Sequence, residues 1–226
     1  MTRAPLSTGT AAVERSTADR LVAVIVVIIT VEAGQLQVLL IKRSADPFKD
    51  SWSLPGGRLV EGDSLLEAAT RRLEIETGVK DVFLEQLYTF SDLDEQGSVA
   101  VAYWALVDKA SVRLARRDEW QPAWCLTSEL PDLAFKNDSV IENALTRLRN
   151  KLAYSNVTYS LLPKEFSLSQ LQQTYEAILL GPLDKRNFRK RILSLGVLEP
   201  TGRLASEGRH RPAKLFRFRE RRPVVY

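Results

Sequence analysis

The chain has 226 residues, of which 45% are hydrophobic and 27% are charged, and this composition is typical of a globular protein with a substantial core. Its single cysteine, Cys125, excludes an internal disulfide and fits a reducing cytoplasm, and its single histidine, His210, argues against a Cys/His metal site and Ser-His-Asp catalysis. The most apolar run, residues 21–31, is too short to span a bilayer and no secretory signal precedes it, so we expect a cytoplasmic protein without a membrane partner.

The net charge of +4 is distributed unevenly along the chain. Residues 154–226 contain 14 lysines and arginines against 6 aspartates and glutamates, a net charge of +8, which leaves −4 on residues 1–153. An acidic part followed by a basic part indicates two modules, the second of which faces a polyanion. A basic surface also serves solubility, so charge alone leaves nucleic-acid binding open. We expect a flexible tail over residues 1–18, one domain over 19–153 and a second over 154–226.

Hydrophobic periodicity predicts alternating strands and helices in the first domain. Two strands are joined by a turn at residues 32–35, where Gly34 supplies a positive φ. A helix follows, with Asp63 or Ser64 as its N-cap and Gly78 just beyond its end. This mixture predicts an α/β or α+β fold. The predicted strands cover residues 21–31, 36–43, 82–90, 99–107 and 120–126, and the predicted helices cover 64–77 and 137–153.

The loop and helix at residues 56–79 resemble the Nudix box, G-x5-E-x7-R-E-U-x-E-E-x-G-U, in which U is an apolar residue. Aligned on Gly57 and Gly78, the register is also kept at Arg71, Leu73 and Glu76, and the preceding WSLPGG segment is the usual lead-in. A motif of this length with fixed spacing is specific. The resemblance implies a Nudix fold, with a mixed sheet between helices.

The box departs from the hydrolase pattern at the positions that bind the metal. The hydrolase motif has glutamates where this chain has Arg72, Ile75 and Glu76, and these positions share one helix face. In an active enzyme that face holds Mg²⁺, which requires oxygen ligands and bridges the diphosphate. Glu74 cannot substitute, because it lies about 200° around the helix axis from Arg72, and Asp63 is shorter than the glutamate expected near the start of the box. We therefore predict no catalytic residue, no metal site and no required cofactor.

Loss of the metal does not require loss of the ligand. The guanidinium of Arg72 could take over part of the metal's charge and hold a phosphate directly. A simpler alternative is that Arg72 and Glu76 form only a helix salt bridge and that Trp52 only packs in the core. The residues that we predict to bind the ligand are Arg43, Trp52, Gly56, Gly57, Arg72 and Glu76.

The second module has the pattern of a winged helix-turn-helix. Residues 166–172 open a helix with Ser167 as its cap, Gly181-Pro182 ends it, and a second helix over 183–193 ends before Gly196. A β-hairpin wing follows, built from residues 197–199, 202–214 and 215–218. The predicted apolar faces comprise Leu168, Leu171, Tyr175 and Ile178 on the first helix, and Phe188, Ile192 and Leu195 on the second.

The second helix and the wing both carry cations, as expected of a recognition helix and a wing that contact DNA. A purely structural role for the basic helix is the alternative. The predicted DNA-binding residues are Lys185, Arg186, Asn187, Arg189 and Lys190 on the helix, and Arg209, His210, Arg211 and Lys214 on the wing.

The segments YSLLP at 159–163 and LDKRNFRK at 183–190 resemble the Nudix-related transcriptional regulators of the NrtR type, and the resemblance covers nearly everything after residue 19. It implies a homodimeric repressor of NAD or pentose metabolism that binds an inverted-repeat operator in double-stranded DNA. Its Nudix domain would bind ADP-ribose or a related nucleotide as effector. The loop at 92–97 is shorter and less arginine-rich than in the family, and Lys136 and Asn137 replace a family Asp-His pair and cannot inherit its role.

Two other functions are compatible with parts of the sequence. A Nudix hydrolase of nucleoside diphosphate derivatives with an accessory nucleic-acid-binding domain is opposed by Arg72 and Ile75. A Nudix-like scaffold whose basic tail binds RNA or a protein is disfavoured, because the basic region lacks an aromatic platform on which unpaired bases could stack. The regulator is the favoured interpretation.

Overall fold

The structure is a computed structural model that describes residues 21–91, 93–94, 98–115, 119–205 and 212–226. The tail expected over residues 1–18 lies outside these ranges. The strands are β1 (Val22–Glu32), β2 (Gln35–Arg43), β3 (Trp52–Ser53), β4 (Gly56–Arg58), β5 (Glu85–Phe90), β6 (Val99–Leu106), β7 (Trp120–Leu126), β8 (Phe166–Ser167), β9 (Leu198–Ala205) and β10 (Ala213–Phe218). The helices are α1 (Leu65–Thr77), α2 (Asn137–Lys151), α3 (Leu168–Leu179) and α4 (Lys185–Ser194).

A seven-stranded mixed sheet forms the first half of the protein. Its main path runs β3-β2-β1-β6-β5, with β4 paired to β1 and β7 paired to β2. Strands β1 and β6 are parallel, and the other pairs are antiparallel. The predicted hairpin is confirmed: Ala33 and Gly34 both have positive φ, 49° and 75°, as a two-residue type I′ turn requires.

The two faces of the sheet bury two separate apolar clusters. Side chains alternate along β1, so Val24, Val26 and Ile28 pack toward α1 while Val27 and Ile29 pack toward α2. The predicted sheet between helices is confirmed. Among the described residues, no helix has the length and apolar composition that a membrane span needs.

Helix α1 begins and ends at residues that the sequence marks. Of the two candidate caps, Ser64 is the N-cap, and it exchanges hydrogen bonds with Glu67 in a capping box. Gly78 adopts the left-handed conformation at φ 80° and closes the helix through a bond from its N–H to the Glu74 carbonyl. A Cβ at Gly78 would also lie 2.7 Å from the Cβ of Ala115, so the position has no room for a side chain.

The second half is a winged helix, as predicted. Ser167 caps α3 in a capping box with Gln170, Asp184 caps α4, and Phe188 and Ile192 are the buried residues of α4. A three-stranded sheet in the order β8-β10-β9 completes the unit. Its core is continuous with the α2 side of the first half, since Leu148 of α2 belongs to the same apolar cluster as Phe166 and Phe218.

Several predicted boundaries are wrong by a few residues. The strand predicted over 82–90 begins only at Glu85, and the helix predicted to reach 153 ends at Lys151. The wing strands are longer than predicted, because β9 extends to Ala205 and β10 begins at Ala213, where Ala205 pairs with Ala213 and Leu204 pairs with Lys214. Helix α3 ends at a left-handed Leu180, φ 57°, one residue before the predicted Gly181-Pro182 break.

Candidate functional site

The loop at residues 52–57 (the site loop) lies between the sheet and two helices, and its backbone is held at successive positions. The N–H of Leu54 donates to the Oδ1 of Asn137 at 2.8 Å, and the carbonyl of Pro55 accepts from the N–H of Val26 at 2.8 Å. The N–H of Gly56 donates to the Oε2 of Glu76, also at 2.8 Å. Sequence patterns predicted a loop here; the short strands β3 and β4 come from its pairing with β2 and β1.

Two glycines allow this loop to approach its neighbours. A Cβ at Gly56 would lie 2.4 Å from the carbonyl oxygen of Val24, so a side chain here would push the loop off β1. A Cβ at Gly57 would lie 2.7 Å from the Cζ of Arg72. Gly57 therefore leaves the space that the guanidinium of Arg72 occupies beside the loop.

Arg72 and Glu76 form the ion pair predicted from their spacing. The Nη1 of Arg72 lies 3.7 Å from the Oε1 of Glu76, and the Glu76 side chain is 0% exposed while that of Arg72 is 29% exposed. The Nε of Arg72 and the Oε1 of Glu76 are buried without a hydrogen-bond partner. The pair is thus a loose contact that leaves donor and acceptor capacity inside the site.

Burial dominates the electrostatics of Glu76. Desolvation raises the pKa of its carboxyl to about 7, although the bond from Gly56 and the charges of Arg72 and Arg43 oppose this rise. The carboxyl of Glu76 therefore titrates near neutral pH. Protonation of Glu76 removes a negative charge beside Arg72 and Arg43, although Asp46 still interacts with Arg43, and this favours an anion in the site.

The remaining box residues are engaged away from this pair. Asp63 receives a two-point hydrogen bond from Arg71, Nη1 to Oδ1 at 2.8 Å, and this bond lowers the pKa of the Asp63 carboxyl. Glu74 pairs with Lys80, and Ile75 is 39% exposed. Within the described ranges, no group of three or more His, Cys, Asp or Glu side chains is placed to hold a metal ion.

Arg43 belongs to an aromatic cluster that sequence patterns did not reveal. Its Cζ lies 4.9 Å from the ring centroid of Phe135, and the rings of Phe135 and Phe48 meet edge to face at 4.8 Å. The Nε of Arg43 donates to the carbonyl of Pro47 at 2.9 Å, and burial lowers the pKa of the guanidinium while Glu76 raises it. Phe48 and Phe135 are 87 positions apart in sequence, and no local periodicity relates them.

The contacts of Trp52 and Asn137 support the fold around the site loop. Trp52 pairs with Lys42 on β2, bridges to Leu133 and packs partly against the core. Asn137 is 2% exposed and begins α2, where it holds the site loop through Leu54. The structure thus brings Arg43, Gly56, Gly57, Arg72 and Glu76 together, with Trp52 at the edge of the same loop.

The predicted recognition helix presents its cations to solvent. Lys185, Arg186, Asn187 and Lys190 are exposed, and Arg189 is half-buried with its Nε lacking a partner. Lys214 is exposed on β10, opposite Leu204 of β9. The other predicted wing residues, Arg209, His210 and Arg211, lie outside the described residues.

Comparison with known proteins reproduces this division of the chain. The family profile of the NUDIX domain matches residues 19–145, and that of the NrtR DNA-binding winged helix domain matches residues 158–218. An ADPR responsive transcriptional repressor, NtrR, from Acinetobacter baylyi is 39% identical over 198 residues, covering 84% of this chain and 79% of the relative.

Two solved structures extend the likeness to three dimensions. Shewanella oneidensis NrtR complexed with a 27mer DNA has a TM-score of 0.73 and 34% identity, over 88% of this chain and 93% of that one. The NUDIX domain of the same protein complexed with ADP ribose has a TM-score of 0.51 and 34% identity, over 57% of this chain and 88% of that one.

A Nudix sheet joined through a shared core to a winged helix with an exposed basic helix defines a class of transcriptional regulator. Within that class, the chain belongs to the NrtR family of Nudix-related transcriptional regulators.

The pKa of Glu76 predicts a specific pH dependence of stability. The folded state holds the Glu76 proton more tightly than the unfolded chain, so this contribution is fully present below the unfolded pKa of 4.5 and is lost as the pH rises through about 7. Between about pH 4.5 and pH 8, wild type should lose on the order of 3 kcal/mol relative to Glu76→Gln, whose amide oxygen can still accept from Gly56. Urea unfolding across this range measures the difference. Glu74→Gln, a half-exposed position on the same helix, should follow wild type; parallel curves for wild type and Glu76→Gln would contradict the assignment.

Proposed function

We propose that this protein is a transcriptional repressor whose Nudix domain senses ADP-ribose or a related nucleotide without hydrolysing it. The observation that carries the proposal is a buried arginine-lined site loop in the same chain as an exposed basic recognition helix. We place the effector domain at residues 19–153 and the DNA-binding domain at 154–226. We further propose a homodimer on an inverted-repeat operator, a cytoplasmic location, and target genes of NAD or pentose metabolism.

Charge and hydrogen-bond capacity fit a phosphate beside the site loop. Arg72 and Arg43 bring two guanidinium groups near Glu76, whose carboxyl titrates near neutral pH. The buried Nε of Arg72 lacks a partner, and a phosphate oxygen is the acceptor that a guanidinium binds best. We assign to Arg72 the phosphate contact that a metal ion makes in the hydrolases of this fold.

The aromatic cluster beside Arg43 fits the base of a nucleotide. Phe48 is 51% exposed and lies against Phe135. The loop after β2, which accepts a hydrogen bond from Arg43, therefore also presents an apolar ring to solvent. A planar base can stack on such a ring while its phosphates lie toward Arg72. This arrangement favours a nucleotide over a simple phosphorylated sugar as effector.

Arg72→Ala should weaken binding of ADP-ribose by about tenfold or more, because one charge-assisted contact is lost. Effector-free DNA binding should stay near the wild-type value, since Arg72 lies in the Nudix half. Calorimetric titration measures the affinity for ADP-ribose, and a DNA titration without effector measures the affinity for DNA. Lys80→Ala removes a cation just beyond the same helix and should bind the effector like wild type. If Arg72→Ala also binds like wild type, Arg72 is only the helix partner of Glu76.

Hydrolysis should be absent because Arg72 and Ile75 replace two carboxylates of the metal face. With Mg²⁺ or Mn²⁺ present, ADP-ribose should survive incubation with the protein, and its binding should persist in EDTA. Chromatography of the nucleotide products measures turnover. Appreciable wild-type turnover that Glu76→Gln abolishes would instead establish the hydrolase with an accessory DNA-binding domain.

The purified protein should bind one duplex per dimer, and it should enrich an inverted repeat from random-sequence DNA. Affinity should fall with salt at a log–log slope of about −0.9 for each phosphate neutralised. Arg186→Ala should cost about 1–3 kcal/mol in binding the enriched duplex if its side chain contacts a base edge. Arg113→Ala, an exposed arginine of the Nudix half, is the control and should bind normally. Equal affinity for the enriched duplex and unselected DNA would rule out a specific regulator.

A further inference from the structure

Helix α2 connects the site loop to the winged helix by a hydrogen bond at each end. At its start, the Oδ1 of the buried Asn137 accepts from the N–H of Leu54 in the site loop. In its last turn, the Nε of Arg149 donates to the carbonyl of Ile178 in α3 at 3.1 Å. Between them the helix runs 15 residues, about 22 Å at 1.5 Å per residue, as one continuous element.

The start of α2 is coupled to the proposed effector contacts. Phe135 and Lys136, just before Asn137, both have positive φ, 56° and 48°, which residues with a Cβ rarely adopt. Phe135 carries the ring that contacts Arg43 and Phe48. A ligand that moves these rings or the site loop therefore acts directly on the first turn of α2.

The end of α2 completes the first helix of the helix-turn-helix. The carbonyl of Ile178 belongs to the last turn of α3, and the residue four positions on is Pro182, which has no N–H to donate. Arg149 supplies a donor in its place. The apolar face of α2 and the neighbouring residues of α3, Leu171 and Ile178, share one buried cluster, so a shift of α2 is transmitted by contact as well.

We propose that α2 transmits effector binding at the site loop to the winged helix. Arg149, near the C-terminal end of α2, is the positioning residue that contacts the winged helix. This inference rests on the proposed function, because it concerns how effector binding changes DNA affinity. The side-chain hydrogen bond of Arg149 goes to α3, and neither the site loop nor α4 takes part in it. Its removal should therefore uncouple the two binding events and leave each of them intact.

The test compares two arginines of the same helix. Arg147 lies two residues before Arg149, but its Nη2 donates to the carbonyl of Leu87 within the Nudix half. Three dissociation constants are measured for wild type, Arg149→Ala and Arg147→Ala. The first is the Kd for ADP-ribose, the second is the Kd for the enriched operator duplex alone, and the third is the Kd for the same duplex with saturating ADP-ribose. The ratio of the two DNA constants is the coupling factor, expected at about 5- to 150-fold in wild type.

Arg149→Ala should bring the coupling factor to within about twofold of 1, while its separate affinities for ADP-ribose and DNA stay near wild type. Arg147→Ala should keep the wild-type factor. Arg149→Lys, which retains a donor and a charge, should recover part of the coupling. Urea unfolding midpoints check that each variant is folded, and if Arg149→Ala is not, Arg149→Lys and Arg149→Gln are compared in its place.

Unchanged coupling in folded variants of Arg149 would overturn the role of this residue. Equal loss of coupling in Arg147→Ala and Arg149→Ala would also overturn it, since the effect would then belong to α2 as a whole. A wild-type factor of 1 would reject the proposed sensor itself, and this result is visible before any variant is made.

Discussion

The bond from the Gly56 N–H to the buried carboxyl of Glu76 fixes the site loop against α1, and the other contacts of the loop follow from it. It places Gly57 beside the guanidinium of Arg72 and leaves Leu54 directed to Asn137. The carboxyl that accepts this bond is buried, so burying its charge is costly unless positive groups or a proton compensate it. The carboxyl of Glu76 therefore both positions the site loop and titrates near neutral pH.

The proposed sensor has the cation Arg72 where the hydrolase motif has a metal ligand, and this difference would change what the Nudix scaffold can do. A metal ion can activate water and polarise a phosphate, whereas a guanidinium can hold a phosphate but has no coordination site for an attacking water. Arg72 needs room beside the loop, and Gly57 provides it. Binding without turnover is the property that the proposed sensor needs, because its signal must persist while the ligand is bound.

The shared core gives the two halves a physical means of communication. Apolar residues of the sheet, α2, α3 and the wing form one cluster, and the Nε of Arg149 adds a hydrogen bond from α2 to the carbonyl of Ile178 in α3. Close-packed elements move as units rather than deform continuously. An effector can favour one arrangement of the winged helix over another only if it binds the protein in the two arrangements with different affinity.

The sequence by itself determined the elements whose signals are local. The Gly34 turn, the Ser64 and Ser167 caps and the buried faces of α2, α3 and α4 follow from short-range periodicity and capping chemistry, and the i, i+4 spacing predicted the Arg72–Glu76 pair. Tertiary structure alone decided the Phe48–Phe135 contact with Arg43, the raised pKa of Glu76 and the bonds of Asn137 and Arg149. These features join residues far apart in the chain or depend on how completely a group is removed from water. Neither property is encoded in a local pattern of side chains.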